Sequence, residues 1–286
     1  MEQNKMNAEF VWLTSSGSIK LIDRMGSEED IIRAARMSTS GSFRGWDKDE
    51  GLLAYLFVNQ HMTPFEMCIL HIEVECPIFV ARQWMRHRTF SYNELSGRYT
   101  ELPDVVWIPT AKQWRRQSVK NKQGSEVNDK PLPELTQAFE TAEHVCRDAY
   151  RMALEAGVAR EQARVILPVG TMTRFRVCGN LRNWLHFLEL RLDPHAQQEI
   201  REFAGTILKI VRMFWPRTAA LFEQFHMAAR WDVLCREIVE QFAVASAQGI
   251  PYPQDNPLVM KAMQLLLTGG KAEISDKDGA RYFVLR

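Results

Sequence analysis

The sequence predicts a helix-rich α+β protein with few strands, and three observations carry that expectation. Apolar residues recur at helical spacing over long stretches, clearest from Leu135 to Ala153 and from His195 to Phe214. Alternation of apolar and polar residues, the mark of a strand, is clearest over one short stretch, Met67 to Cys76. With 286 residues, 46% hydrophobic and 25% charged, the chain can bury the core of one large domain or two smaller ones, and it is not a disordered protein.

Taken in order, Ser27-Glu28-Glu29-Asp30 stand ahead of Ile31, Ile32, Ala34 and Ala35, a capping pattern that opens a helix. Asp47 to Glu50 do the same ahead of Leu52 to Val58. From Met67 to Cys76, Leu70, Ile72, Val74 and Cys76 fall on one face and Ile69, His71, Glu73 and Glu75 on the other, which predicts a strand with one buried side. Pro77 ends it and opens a helix from Ile78 to about Met85. Ser91, Asn93, Ser96 and Gly97 oppose its continuation, so Arg86-His87-Arg88 falls where a helix gives way to a loop. Lys112 to Pro133, polar and closed by Pro131 and Pro133, reads as an exposed and mobile excursion. Leu135, Phe139, Ala142, Cys146, Ala149, Met152 and Ala153 then mark a long helix ending near Gly157. Thr171 to Cys178 reads as a strand, Leu181 to Leu192 as a helix, and His195 to Phe214 as a long amphipathic helix stopped by Pro216. A further helix is predicted over Asp232 to Ala247, a Pro-rich break over Ile250 to Pro257, and a last strand over Tyr282 to Leu285.

The charge balance, 36 Lys+Arg against 35 Asp+Glu, opposes general nucleic-acid binding, so any anion must be met locally. Apolar runs such as Leu52 to Val58 are too short to cross a bilayer, and Met1 to Glu9 is polar, which together predict a cytoplasmic protein without a membrane partner. Cys68, Cys76, Cys146, Cys178 and Cys235 are odd in number and lack any C-x-x-C spacing, as expected of reduced, mostly buried thiols rather than a disulfide framework or zinc site.

The densest polar cluster runs from Arg82 to Tyr99 and holds four arginines. Forked guanidinium donors match phosphate and carboxylate oxygens, and Ser96 and Gly97 can complete an anion cradle with their N–H groups. The bland alternative, a solvated basic face, does not account for Asn93, Glu94, Ser96 and Gly97. In a helix, Arg182, His186 and Glu189 share a face, a spacing that ordinary surface pairing also produces. Lone His61 and His195 are read as structural. The chain has no G-x-G-x-x-G, P-loop, G-x-S-x-G or H-E-x-x-H motif, so a bound nucleotide must be held by arginines and loops.

Arg86-His87-Arg88, seven residues, then Ser96 resembles the signature of the flavin-dependent thymidylate synthases. His61-Met62-Thr63-Pro64-Phe65-Glu66 is similar to the family's H-x-T-P-F-E, Ala34 to Ser38 to its A-A-R-x-S, and Ala163 to Pro168 to its A-R-x-x-L-P. Asn180 to Arg191 with His195-Ala196-Gln197 is similar to its last motif block, so the resemblance spans roughly Ile31 to Phe225.

That resemblance implies the family's own fold, helix-rich α+β with a small mixed or antiparallel sheet, as a homotetramer whose sites are shared between subunits. Residues 1–230 would be the synthase domain and 231–286 a C-terminal helical extension. The implied reaction turns dUMP into dTMP with methylenetetrahydrofolate as carbon donor, NADPH as reductant and FAD as cofactor, the reduced flavin carrying the hydride. Carried over by motif, dUMP falls to Gln83, Trp84, Met85, Arg86, Glu94, Leu95, Ser96, Gly97, Arg98, Arg164 and Arg191, and the catalytic role to Arg191. FAD falls to Ser38, Thr63, Glu66, Arg86, His87, Arg88, Glu94, Asn180, Leu181, Arg182 and His186, although some members carry Asn where His186 stands. The competing expectations are an RNA-binding protein using Arg82 to Arg98 and Arg115-Arg116, and another flavoprotein on the same scaffold.

Overall fold

The computed structural model of the protein describes residues 10–119, 124–227, 272–277 and 280–285. The chain divides into a unit ending at Ala219 and a second beginning at Ala220.

The first unit opens with a hairpin of β1 (Val11–Thr14) and β2 (Gly17–Met25), then α1 (Glu28–Arg36) and α2 (Trp46–Val58). A 3-10 turn, Thr63–Met67, leads into β3 (Ile69–Pro77), α3 (Ile78–Trp84) and β4 (Ser91–Glu94). A small hairpin, β5 (Arg115–Gln117) with β6 (Ser125–Val127), precedes α4 (Pro133–Glu155) and the short α5 (Arg160–Ala163). Then follow β7 (Met172–Asn180), α6 (Leu181–Arg191) and α7 (Gln198–Phe214), and α8 (Pro216–Phe222) runs across the division after Ala219.

Five strands form one antiparallel sheet in the order β1-β2-β3-β7-β4. The alternation read in β3 is realised: Leu70, Ile72, Val74 and Cys76 are fully buried, and Ile72 and Val74 face Val177 and Phe175 of β7 in register. Beneath that face, Trp84 is surrounded by Phe187 at 4.5 Å, Phe175 at 5.7 Å, Trp184 at 6.1 Å and Phe203 at 6.2 Å between ring centroids. This knot joins α3, α6, α7 and β7, the elements that carry the motif residues. The capping pattern of α1 is also realised, with the Ser27 N–H and hydroxyl both donating to Asp30 Oδ2 at 2.8 Å.

The structure differs from the sequence reading in four places. The β1–β2 hairpin was not predicted, because its apolar residues Val11 and Leu13 are exposed on an edge strand and Ile19 alone is buried, so no clean alternation exists to read. Ser91 to Glu94, read as loop, is an edge strand pairing with β7 from Ser91↔Cys178 to Glu94↔Phe175, its polar residues tolerated because they face outward. The excursion over 112–133 contains the β5–β6 hairpin and is pinned at its end, Leu132 N–H donating to Ala111 O at 2.9 Å and Trp114 Nε1–H to Thr136 Oγ1 at 2.8 Å. The second long helix begins at Gln198 rather than His195, whose N–H instead donates to Asp193 Oδ1 at 2.8 Å in a turn.

In the second unit, β8 (Ala272–Lys277) and β9 (Ala280–Leu285) form an antiparallel hairpin. The strand expected over Tyr282 to Leu285 lies within β9, and the extension over 231–286 is therefore not wholly helical. The helix expected over Asp232 to Ala247 and the break over Ile250 to Pro257 lie outside the described residues. No described helix is long and apolar enough to cross a membrane.

Candidate active site

The arginine-rich motif is threaded over the sheet between α3 and β4. Phe90 anchors it, lying 4.5 Å from Trp184 between ring centroids and directly over Gly179 of β7. A Cβ at Gly179 would sit 2.1 Å from Phe90 Cδ1, so glycine is what lets the loop approach the strand. Asn183 Nδ2 donates to Thr89 O at 3.0 Å and ties the same loop to the first turn of α6.

Arg191, in the last turn of α6, reaches back to this loop. Its Nε donates to His87 Nε2 at 2.9 Å and its Nη2 to Gln83 O at 3.1 Å. A guanidinium only donates, so His87 Nε2 must be an unprotonated acceptor and the imidazole neutral. Burial, then the charges of Arg191 and His186, push the His87 pKa down to about 4, which agrees with that assignment. Burial also lowers the pKa of Arg191, from a starting point so high that the side chain stays charged. Tyr92 completes the bracket: its hydroxyl faces the carbonyls of Trp84 at 2.8 Å and His87 at 3.1 Å.

A second group gathers at a cavity of about 660 Å³, where Met85, Glu94, Leu95, Gly97 and Arg164 share the wall with Arg82. Thr173 Oγ1 donates to Glu94 Oε1 at 2.7 Å, and the Leu95 N–H to Arg174 O at 2.8 Å. Gly97 is buried against Arg164, whose Cδ would lie 3.2 Å from an added Cβ, so glycine makes room for the arginine stem. The Arg98 N–H donates to Ser96 Oγ at 3.3 Å, and its side chain pairs with Glu161 at 3.2 Å across an exposed surface. Among the described residues, no side-chain hydrogen bond or ion pair links this group to Arg191.

The third group surrounds the start of α6. Asn180 caps the helix, its Oδ1 accepting from the Asn183 N–H at 3.0 Å, and Arg182 Nη1 reaches Glu66 Oε1 at 2.6 Å beside Thr63. His186 lies 6.3 Å from His87 between ring centroids and 3.5 Å from Glu189. Ser38, exposed after α1, donates to Ala35 O at 3.1 Å. The face shared by Arg182, His186 and Glu189 thus splits: Arg182 pairs across to Glu66, not along its helix. Arg86 and Arg88 are exposed and make no ion pair among the described residues.

Two of the expected contact residues present no side chain to the surface. The side chains of Trp84 and Leu181 are fully buried, so any contact they make with a ligand comes from the main chain. Even there, Trp84 O already accepts from Tyr92 and the Leu181 N–H donates to Cys68 O at 2.8 Å. Conversely, the sequence assigned no role to Tyr92, Thr173 or Gln197, which hold the loop, Glu94 and Gln83 respectively. Tyr92 and Gln197 lie inside stretches that carry the family resemblance and Thr173 does not, while Thr173 and Gln197 are both distant in sequence from what they hold.

Guanidinium groups from the motif loop, from α3, from the turn after α5 and from α6, gathered in separate groups, mark an enzyme of the anion-binding class that meets its ligands with arginines and loops. Residues 20–217 match the family described as thymidylate synthase complementing protein. The chain is 43% identical over 211 residues to the flavin-dependent thymidylate synthase of Thermus thermophilus, covering 73% of this chain and 76% of the relative. It is 41% identical over 216 residues to that of Anaplasma marginale, covering 74% and 73%. The crystal structure of the UMP/dUMP methylase PolB from Streptomyces cacaoi, bound with 5-Br dUMP, superposes with a TM-score of 0.66 at 30% identity, covering 73% of this chain and 95% of PolB. The chain belongs to the flavin-dependent thymidylate synthase family.

Proposed function

We propose that this chain catalyses the reductive methylation of dUMP to dTMP, with methylenetetrahydrofolate as carbon donor, NADPH as reductant and FAD as cofactor, in a cytoplasmic homotetramer. The observation that carries the reading is Arg191, a half-buried guanidinium fixed through Nε and Nη2. Such a group is aligned in advance for negative charge that develops on a uracil ring as its C5 becomes nucleophilic, and alignment before reaction is what makes an electrostatic contact catalytic. PolB, bound to a brominated dUMP, supports the pyrimidine nucleotide as substrate.

The donor set fits FAD. Arg86 and Arg88, exposed and without an ion pair among the described residues, suit a pyrophosphate, with Thr63, Glu66, Asn180, Arg182 and His186 around the adjoining start of α6 and Ser38 joining them. Bound flavin supplies the hydride transfer. The protein's own part is binding and charge. Ser96, Gly97, Arg98 and Arg164 grip the nucleotide phosphate, and Gln83, Arg86 and Arg191 orient the base. Among the described residues no side-chain bond joins Ser96, Gly97, Arg98 or Arg164 to Gln83, Arg86 or Arg191, an arrangement compatible with sites built from neighbouring subunits. The direct test is dUMP-dependent oxidation of NADPH with and without methylenetetrahydrofolate, the product identified by mass. A yellow protein that forms dTMP only with all three substrates is expected; NADPH oxidation indifferent to dUMP refutes the reading.

A further inference from the structure

Outside the residues discussed above, a cleft opens between the stretch from Trp107 to Gln117 and the start of α7. Two adjoining hollows of about 360 Å³ and 210 Å³ share Trp107, Gln113, Trp114, Arg115 and Glu199 as walls, and Arg201 lines the larger. Arg115 is braced by its own hairpin, Nε donating to Ser125 Oγ at 2.8 Å and Nη2 to Ser125 O at 2.9 Å. Arg201 Nη1 donates to Pro194 O at 3.1 Å and its other branch to Gln198. Neither arginine has a carboxylate at ion-pair distance among the described residues; burial and then Arg115 lower the Arg201 pKa, while Glu199, Glu202 and Asp193 act on it more weakly in the other direction. In the same walls, Glu199 Oε2 is buried with no hydrogen-bond partner. Neighbouring Glu202 differs, accepting from the Ser15 N–H and from Gln198 Nε2, both at 3.0 Å.

Two guanidiniums with no carboxylate at ion-pair distance among the described residues leave room for an anion, and a buried acceptor without a donor calls for an N–H. A phosphate supplies the first and, being anionic throughout, is repelled by the carboxylate that demands the second. A γ-linked glutamyl chain supplies both, a carboxylate and an amide N–H in each unit, and an aminobenzoyl ring ahead of it suits indole walls. The cleft also adjoins the reaction centre: Gln197 on its wall accepts from the Gln83 side chain, and Gln83 O accepts from Arg191. We propose that this cleft holds the aminobenzoylglutamate tail of the folate, Arg115 and Arg201 taking glutamyl carboxylates and Glu199 Oε2 accepting an amide N–H. The proposal rests on the folate-dependent reading above and names where that substrate's tail lies.

The test is calorimetric titration of the purified, flavin-containing protein with p-aminobenzoyl-tetraglutamate, p-aminobenzoate and NADP+. The tetraglutamate should bind at least about tenfold tighter than p-aminobenzoate, and Arg115→Ala or Arg201→Ala should each remove about tenfold of that affinity while dUMP affinity and flavin content hold. Equal binding of the two aminobenzoyl probes, undiminished tetraglutamate binding in the arginine variants, or losses confined to NADP+ would each overturn the proposal. Because no turnover is needed, a protein that makes dTMP but fails this titration loses the tail site and keeps its function, and the converse result does the reverse.

Discussion

Arg191 has Nε and Nη2 engaged inside the protein, leaving Nη1 without a partner among the described residues. Arg191→Ala should therefore preserve fold and flavin and lose most dTMP formation, by roughly 3 kcal/mol of transition-state stabilisation, or about a hundredfold in rate. Arg191→Lys should recover little of it, because a flexible ammonium cannot hold both His87 and the Gln83 carbonyl while meeting a substrate. Turnover near that of the unaltered protein in either variant contradicts the assignment. His87, the acceptor of that hydrogen bond, gives the fold a pH dependence. Its folded pKa, about 4, lies below the ordinary 6.5, so between those values the unfolded chain binds more protons than the folded one. His87 therefore stabilises the fold fully above pH 6.5 and loses that contribution as pH falls toward 4. Urea melts across this window should show a decline that His87→Gln flattens. Cysteine chemistry is expected to be absent: burial pushes Cys68 up to about 12 and raises Cys76 and Cys178, so none of these three is a ready thiolate. Single Ser or Ala replacements of Cys68, Cys76, Cys146, Cys178 or Cys235 should leave dTMP formation within about threefold, buried positions losing stability only. A well-folded, flavin-bearing variant without activity would reopen a covalent mechanism.

At the scale of elements, the contact of Phe90 with Gly179 fixes the height of the motif loop above β7. Gly179→Ala should cost about 1–3 kcal/mol, because the ring must move away from Trp184 and pull Thr89 from Asn183. A lowered melting temperature with weakened flavin retention is the expected pair of readings, and an unchanged melting temperature argues against the packing account. The elements read most clearly from sequence are those with one buried face. In β3 all four inward residues are fully buried, and α6 and α7 repeat the same logic at helical spacing through Leu181, Trp184, Leu185 and Leu188 and through Ile200, Phe203, Ala204 and Ile207. Edge strands resist such reading: β4 is Ser-Tyr-Asn-Glu and β1 exposes Leu13, since pairing on one side alone lets them carry turn-forming or outward apolar residues. The site divides in the same way. The arginine motif is contiguous and was legible, whereas the bond from Arg191 to His87 spans 104 residues and that from Gln83 to Gln197 spans 114, and no local pattern encodes them.

At the scale of the whole molecule, the two groups of residues proposed to bind dUMP would have to meet. In one chain, Gly97 and Arg164 bound the cavity beside α3, while Arg191 is turned to His87 and Gln83, and no side-chain bond joins the sets among the described residues. A symmetric oligomer resolves this if each site takes Ser96, Gly97, Arg98 and Arg164 from one subunit and Gln83, Arg86 and Arg191 from its neighbour, since every chain then offers both halves to different partners. Arg98→Ala and Arg191→Ala oligomers should each be nearly inactive when refolded alone. Unfolded together and refolded as a mixture, each half of a site independently has an even chance of coming from the chain that kept it, so about one site in four should be intact. The measurement is dTMP formed by the co-refolded mixture against each variant at the same total concentration, with subunit exchange confirmed separately by tagging one variant. Recovery toward a quarter of the unaltered protein's rate is expected. A mixture that shows only the average of its two components, despite exchange, would mean that Arg98 and Arg191 serve one site from the same chain.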